Sequence, residues 1–311
     1  MKKVFIDGSA GTTGLRIKER LSGRKDIGMI ILPEELRKDD AARKECLNTA
    51  DVSILCLPDD AAKQAVSMVE NPDAVIIDTS TAHRVNGDFI YGFPEIGGSR
   101  SKIKTAKRIA NPGCHASGFI SLVAPLIEKG IITPDEKLTA FSITGYSGGG
   151  KKMIAEYEGE DRSPLLDAPR MYGVNQKHKH LPEMVKVCGL TYAPVFCPIV
   201  APYYAGMEVT VPLFGGSVKG GIEAVKDAYR GYYEKGLVHY EEEADSFISA
   251  CGLAGYDDMQ VTVAGNEDRI LLVSRFDNLG KGASGSAIQN MNISLGLPES
   301  CGLNLKYTEE A

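Results

Sequence analysis

Val4-Phe5-Ile6-Asp7-Gly8-Ser9-Ala10-Gly11-Thr12-Thr13-Gly14 runs a short apolar strand into three spaced glycines, and residues 15–21 then carry a helical pattern. Strand, glycine turn and helix together are what a dinucleotide pyrophosphate requires. Bare backbone can approach the phosphates, and a helix N-terminus attracts their charge. Gly8, Ser9, Gly11, Thr12, Thr13 and Gly14 are therefore the candidate cofactor loop. The spacing Gly8-x-x-Gly11-x-x-Gly14 is one residue longer between the first two glycines than G-x-G-x-x-G, and a plain tight turn is the alternative. A Walker A loop is excluded because no Lys-Ser/Thr pair closes the run.

Outward from this stretch the same rhythm repeats. Residues 27–32, 52–57 and 75–78 read as further strands, with Pro58-Asp59-Asp60 starting a helix over 61–69. Alternating buried strands and helices predict a Rossmann-like, doubly wound parallel sheet with ligands at the C-terminal strand ends. Leu57, Ser80 and Arg84 fall at those ends. Later segments, 137–144, 195–199, 206–213, 260–264 and 270–276, are longer and more alternating. They predict a second α+β domain with a largely antiparallel sheet. A helix over 283–295 would return to the first domain. The expected division is 1–113 plus 284–311 for the cofactor domain and 114–283 for the second.

Asn111-Pro112-Gly113-Cys114-His115 sits at that junction. Asn-Pro-Gly is turn chemistry, and 115–129 has a helical apolar period at Ala116, Phe119, Ile120, Val123, Leu126 and Ile127. A thiol at a helix N-terminus ionises more readily than a free one, so Cys114 is the candidate nucleophile. A small buried cysteine is the alternative. His178-Lys179-His180-Leu181-Pro182-Glu183 offers an acid/base histidine beside a thiolate; on an extended segment both rings share a face. A metal pair there lacks an evident third ligand. His115 reads as a neighbour of the thiol, and His83 and His239 read as structural. Gly145-Tyr146-Ser147-Gly148-Gly149-Gly150-Lys151 reads either as an anion nest, with Ser147 and Lys151 as donors, or as a flexible loop. Asp277-Asn278-Leu279-Gly280-Lys281-Gly282, leading into a helix, reads as a second backbone cradle or as a connection.

A net charge of −6 and the lack of a basic, aromatic-rich block argue against nucleic acid. No apolar run nears the roughly 20 residues of a membrane span. Seven scattered cysteines without a C-x-x-C pair suggest reduced thiols. With no signal-peptide pattern before the first strand, the expectation is a cytoplasmic protein.

Taken together, the Gly-rich loop, Asn-Pro-Gly-Cys, His-Lys-His-Leu-Pro-Glu, Tyr91-Gly92-Phe93-Pro94-Glu95 and the segment from Asp277 to Asn292 resemble the N-acetyl-gamma-glutamyl-phosphate reductases, in the shorter of their two types. The resemblance covers essentially the whole chain. His115-Ala116 departs from the aromatic-Pro pair that follows the cysteine in the longer type.

The resemblance implies NADPH-dependent reduction of an acyl phosphate to a semialdehyde in arginine biosynthesis, through a Cys114 thioacyl intermediate, with His180 as acid/base and no metal. It places Asn278, Gly280, Lys281 and Gly282 near the nicotinamide. Arg84, Arg100, Ser147, Gly148, Gly149, Lys151, His178 and Glu183 become substrate or phosphate candidates. A homo-oligomer, dimer or tetramer, is expected. For the cofactor's 2′-phosphate, Arg37, Lys38 and Arg43 are in reach, whereas Glu34 and Glu35 suit an NAD ribose. An aspartate-semialdehyde dehydrogenase, a dinucleotide-sensing module without turnover and, more weakly, a thiol hydrolase remain the alternatives.

Overall fold

The computed structural model describes residues 1–307 and divides them into two compact units. The first comprises Met1–Pro94, Gly98–Pro112 and Ala283–Leu303, and the second contains Glu95–Gly97, Gly113–Gly282 and the stretch from Asn304. The expected domain assignment of 284–311 extends over residues 308–311, which lie outside the described residues.

In the first unit the strands are β1 (Lys2–Asp7), β2 (Ile27–Ile30), β3 (Val52–Leu55), β4 (Val75–Asp78), β5 (Ile90–Tyr91) and β6 (Arg108–Ala110). They pair in parallel in the order β2-β1-β3-β4-β6-β5. Both faces are covered, which is why β3 and β4 are buried at every position and read as continuous apolar runs. Helices α1 (Thr12–Leu21), α2 (Asp40–Thr49), α3 (Asp59–Ser67) and α4 (Ser99–Thr105) belong to this unit. On one face Ile17, Leu21, Ile54 and Ile77 share a core with Ile288 and Met291. On the other, Phe5, Leu55 and Ile76 pack with Leu47, Ala62 and Ala65. β5 and β6 are too short to show a period, and sequence reading missed them.

The second unit begins with α5 (Cys114–Glu128) and continues through β7 (Thr139–Gly145), α6 (Gly150–Glu158), β8 (Arg170–Met171), α7 (Leu181–Cys188), β9 (Val195–Ala201), β10 (Met207–Phe214), α8 (Gly221–Tyr232), β11 (Val238–Glu241), β12 (Met259–Gly265) and β13 (Arg269–Phe276). Its sheet order is β11-β12-β13-β10-β7-β9-β8. β12, β13, β10 and β7 are successively antiparallel, as are β8 and β9, while β7–β9 and β11–β12 are parallel. A mixed sheet results, largely antiparallel as the alternation predicts.

The chain then returns to the first unit in α9 (Gly285–Leu295), whose Ile288 and Met291 enter the core already described. A π-turn, Gly280–Ser284, precedes it, so the expected helix over 283–295 starts two residues later.

α5 is apolar nearly all round because it is buried along almost its whole length. Its approach to the sheet is set at Gly118, where an added methyl would lie 2.4 Å from Val209 Cγ2 and 2.9 Å from both Phe276 Cε1 and Ser274 Oγ. Alanine ordinarily favours a helix by about 1 kcal/mol over glycine. Here Gly118→Ala is expected to lower stability instead, by roughly 1–3 kcal/mol, because the core must move to admit the methyl. Urea unfolding checks this. An unchanged or higher midpoint would mean that the helix stands further from the sheet.

Candidate active site

In the first unit, each fingerprint glycine has a separate steric reason. Gly8 has φ +84°, and a Cβ there would lie 2.3 Å from the Cys56 carbonyl oxygen. A Cβ on Gly14 would lie 2.6 Å from Gly8 O. The Gly11 N–H closes the turn on Gly8 O at 3.1 Å, and Gly11 caps α1 without a side-chain hydrogen bond or an acid in the first turn. The first N–H groups of α1, from Thr12 and Thr13 onward, therefore suit an anion. A cavity of about 790 Å³ adjoins this loop, lined by Gly8, Ser9, Leu57, Arg37, Lys38 and Arg43 among others. A bare cradle beside a cavity of this size fits a dinucleotide.

The three cations near the cavity are not equivalent. Arg43 is buried and donates to Asp7 Oδ2 at 2.9 and 3.1 Å and to Asp40 Oδ1 at 3.1 Å. Burial pushes the Asp7 carboxyl up and Arg43 opposes the shift. Arg43 is thus a floor of the pocket, correcting the expectation that it reads a phosphate. Arg37 is paired with the exposed Glu34 side chain, and Lys38 also faces the cavity. Ser80 is turned inward: it donates from N to Asp78 Oδ1 and from Oγ to Asp78 Oδ2, while His83 Nδ1 lies 2.6 Å from the same carboxylate.

In the second unit Cys114 opens α5, with Gly113 as an extended N-cap that has no side-chain bond. The Gly113 N–H donates to Glu183 Oε2 at 3.1 Å. Glu183 is 1% exposed, and its other oxygen lies 3.9 Å from His180 Nε2. His178 Nδ1 accepts the backbone N–H of His180 at 3.2 Å, and the two rings meet edge-on at 4.7 Å. The histidine segment is a turn and not an extended segment: Leu181 N–H bonds His178 O and α7 follows. Among the described residues no cluster of three or more His, Cys, Asp or Glu side chains could hold a metal ion.

His115 points inward. Its Nδ1 is 2.7 Å from Ser142 Oγ and its Nε2 2.6 Å from the Tyr172 hydroxyl. Burial, with His178 adding to it, lowers its pKa to about 3. Burial also pushes the Tyr172 phenol up, and the charge of a Cys114 thiolate adds to that shift. Sequence reading missed Tyr172 and Ser142. Only the proximity of Tyr172 to the histidine motif hinted at the former.

Several expected binding roles change. Glu183 cannot serve an anionic substrate as a donor; its carboxylate is engaged by Gly113 and faces His180. Lys281, expected at the cofactor, is 1% exposed with its ammonium 2.9 and 2.8 Å from the two Glu95 oxygens. Arg100 grips Glu299 with two nitrogens, at 2.5 and 3.1 Å. Arg84 donates to the carbonyls of Asn111 and Thr79, fixing the first unit's end of the Asn-Pro-Gly turn. Asn278 donates to Ser147 Oγ and accepts the Gly206 N–H, both at 2.9 Å. The Ser147 N–H is bound to Tyr204 O, and the Gly150 N–H to Ser147 O. Gly148, Gly149 and the exposed Lys151 are left as the loop's candidates for an anion, at the start of α6.

Two family models match the chain: the semialdehyde dehydrogenase NAD binding domain over residues 8–106 and the semialdehyde dehydrogenase dimerisation domain over 114–278. The N-acetyl-gamma-glutamyl-phosphate reductase of Sinorhizobium medicae is 45% identical over 306 residues, 94% of this chain and 98% of that protein. That of Brucella ovis is 44% identical over 306 residues, 94% and 99% of the two chains. The chain belongs to the N-acetyl-gamma-glutamyl-phosphate reductase family.

Solved structures share the fold at much lower identity. Aspartate semialdehyde dehydrogenase II of Vibrio cholerae, complexed with ASA, superposes with a TM-score of 0.73 at 16% identity, covering 95% of this chain and 98% of that one. The Candida albicans enzyme with NADP gives 0.67 at 15% identity, covering 95% and 99%. The candidate cluster in this chain combines a cysteine, a histidine beside a buried carboxylate and a neutral His-Ser-Tyr network.

The neutral His115 has a measurable consequence. Its folded pKa lies below the usual 6.5, so its contribution to stability is complete above pH 6.5 and is lost as pH falls toward 3. The slope is roughly 1.4 kcal/mol per pH unit in that window. Urea unfolding at pH 6.5 and pH 5 should therefore show wild type losing about 2 kcal/mol through this group. His115→Gln, though less stable overall, should lack that part of the loss. Identical pH dependence in the two proteins would contradict the assignment.

Proposed function

We propose that this chain reduces N-acetyl-L-glutamyl 5-phosphate to N-acetyl-L-glutamate 5-semialdehyde and phosphate, a step of arginine biosynthesis, with NADPH as reductant and Cys114 as nucleophile. The observation that carries the reading is Cys114 on the first position of α5, its turn bonded through Gly113 to the same buried carboxylate that faces His180. Relatives of this name at 44–45% identity support it over the aspartate-semialdehyde alternative, whose support is likeness of fold alone.

Cys114 Sγ forms a bond to the acyl carbon, and the carbon–oxygen bond to phosphate breaks, the electron pair leaving with the phosphate. The α5 N-terminus favours the thiolate before attack. Gly148, Gly149 and Lys151, at the start of α6, receive the departing dianion. NADPH, when bound, supplies the hydride that reduces the thioester carbonyl. His180 donates a proton to the hemiacetal oxygen and takes one back as the carbon–sulfur bond breaks, releasing aldehyde and thiolate. Glu183 stands beside the His180 ring, and His178 accepts the His180 backbone N–H. Arg37 and Lys38 read the 2′-phosphate.

The functional unit is a homo-oligomer in which a second copy covers the open face of the second unit's sheet. Phe141, Val195, Leu271 and Phe214 stand exposed on that face, and the matched dimerisation family model spans 114–278. This reading places the chain in the cytoplasm with no nucleic-acid partner.

NADP-linked oxidation of the semialdehyde should need phosphate or arsenate, because the thioacyl enzyme is released by an oxyanion. Full rate without either would make the chain a hydrolytic aldehyde dehydrogenase. Cys114→Ser should abolish turnover, while His180→Asn should lower kcat about 10²–10⁴-fold and remain open to alkylation at Cys114. If His178→Asn costs more kcat than His180→Asn, the two roles are reversed.

NADPH should be preferred over NADH in kcat/KM, and replacing Arg37 and Lys38 together with alanine should erase most of that preference. A preference for NADH in wild type would overturn the cofactor assignment.

A further inference from the structure

We propose that Gly282 is a positioning residue for the nucleophile: it leaves open the space into which the Cys114 side chain is set. This rests on the reading of Cys114 as the catalytic thiol.

The π-turn that begins at Gly280 is pinned from two sides within the second unit. After β13 ends at Phe276, the fully buried Asp277 folds the chain back. Its Oδ1 accepts the N–H groups of Leu279 at 2.7 Å and Gly280 at 3.2 Å, and its Oδ2 accepts that of Gly255 at 2.6 Å. Its carbonyl takes the N–H groups of Gly280 and Gly282, at 3.0 and 3.1 Å. From the other side, the Lys281 ammonium is locked on Glu95, and Glu95 Oε1 also accepts the Leu237 N–H at 2.9 Å.

Between these anchors Gly282 lies against the first residue of α5. A Cβ there would stand 2.9 Å from Cys114 Cβ, with Phe276 Cε2 and the Asp277 carbonyl oxygen each at 3.2 Å. Gly282 is not among the positive-φ residues, so its backbone would accept a side chain. What forbids one is the space. Gly280 differs: a Cβ there would strike the Tyr256 carbonyl oxygen at 2.1 Å, a purely structural demand. At Gly282 the ring and the carbonyl are held by the core and by the turn. Cys114 Cβ is bonded directly to its own Cα, so admitting the methyl shifts the first residue of α5 and carries the thiol with it. π-turns inside helices recur at functional sites, and here the unusual turn brings a bare Cα to the nucleophile.

Gly282→Ala is the test, read by steady-state kinetics, by thermal unfolding and by the pH profile of iodoacetamide alkylation at Cys114. A displaced nucleophile should lose about 10–100-fold in kcat with little change in KM for the acyl phosphate, since a misplacement near 1 Å costs on the order of 10²-fold. The alkylation midpoint should move to higher pH as the thiolate leaves the helix N-terminus. A wild-type kcat and alkylation profile, with or without a lower melting temperature, would overturn the proposal.

If Gly282→Ala does not fold, the double variant Lys281→Met/Glu95→Leu decides. It replaces both buried charges together, which proteins tolerate better than losing one. It should loosen the turn, lowering kcat and shifting the alkylation profile in the same direction; wild-type behaviour would overturn the proposal. Cys114→Ser, run in parallel, separates the two ideas. Turnover surviving there removes the thiol mechanism itself, whereas its loss beside a wild-type Gly282→Ala removes only the positioning role.

Discussion

A hydrogen bond from the Gly113 N–H to the buried Glu183 carboxylate joins the turn before Cys114 to the histidine segment. The donor is the residue before Cys114, and the acceptor lies in the first turn of α7, three residues after His180. Neither partner reaches water to any extent, so breaking the bond would strand a carboxylate and an amide in the protein interior. Such a loss costs more than the bond's net worth, which makes the contact a registry device. It holds α5 and α7 at one separation and thereby sets where an imidazole stands relative to a thiol.

Two polar networks of opposite character surround that contact. One is neutral: His115, Ser142 and Tyr172 satisfy each other, and burial keeps the imidazole uncharged and the phenol protonated. The other carries charge: the Lys281–Glu95 ion pair, and the Glu183 carboxylate that faces His180. The neutral network adds no charge of its own beside the first turn of α5. The buried ion pairs contribute little net stability for their desolvation cost. Their use lies in the fixed distances they impose on the loops that carry them.

The legible parts of this chain are those whose physics is local. β4 was bounded residue for residue, because a fully buried strand shows an uninterrupted apolar run before a polar stop at Asp78. The Gly8, Gly11, Gly14 series and the Asn-Pro-Gly turn announce themselves through backbone requirements alone. The illegible parts depend on distant partners. Lys281 reads as a loop cation until Glu95, 186 residues away in the chain, is found beneath it. Arg100 looks like an anion binder until Glu299 closes on it, and Glu183 like a substrate ligand until Gly113 does. β5 and β6 are two and three residues long, below the length at which any period can be seen. Tyr172 has its significance only through His115.

Glycine works in two ways in this molecule. At Gly8 and Gly14 the absent Cβ lets backbone meet backbone, with Cys56 and with Gly8 itself. A substitution at either position meets a backbone carbonyl, that of Cys56 or of Gly8, and Gly8 adds a positive φ that side chains resist. Those positions define a surface for a ligand that needs bare N–H groups. At Gly282 the absent Cβ faces a side chain, and the backbone would tolerate a replacement. Such a position constrains the geometry of its neighbours through space and not through its own φ. A sequence motif records both as the same letter. The contact on the far side of the missing methyl, a backbone carbonyl at Gly8 and Gly14 and the Cys114 side chain at Gly282, is what tells the two uses apart.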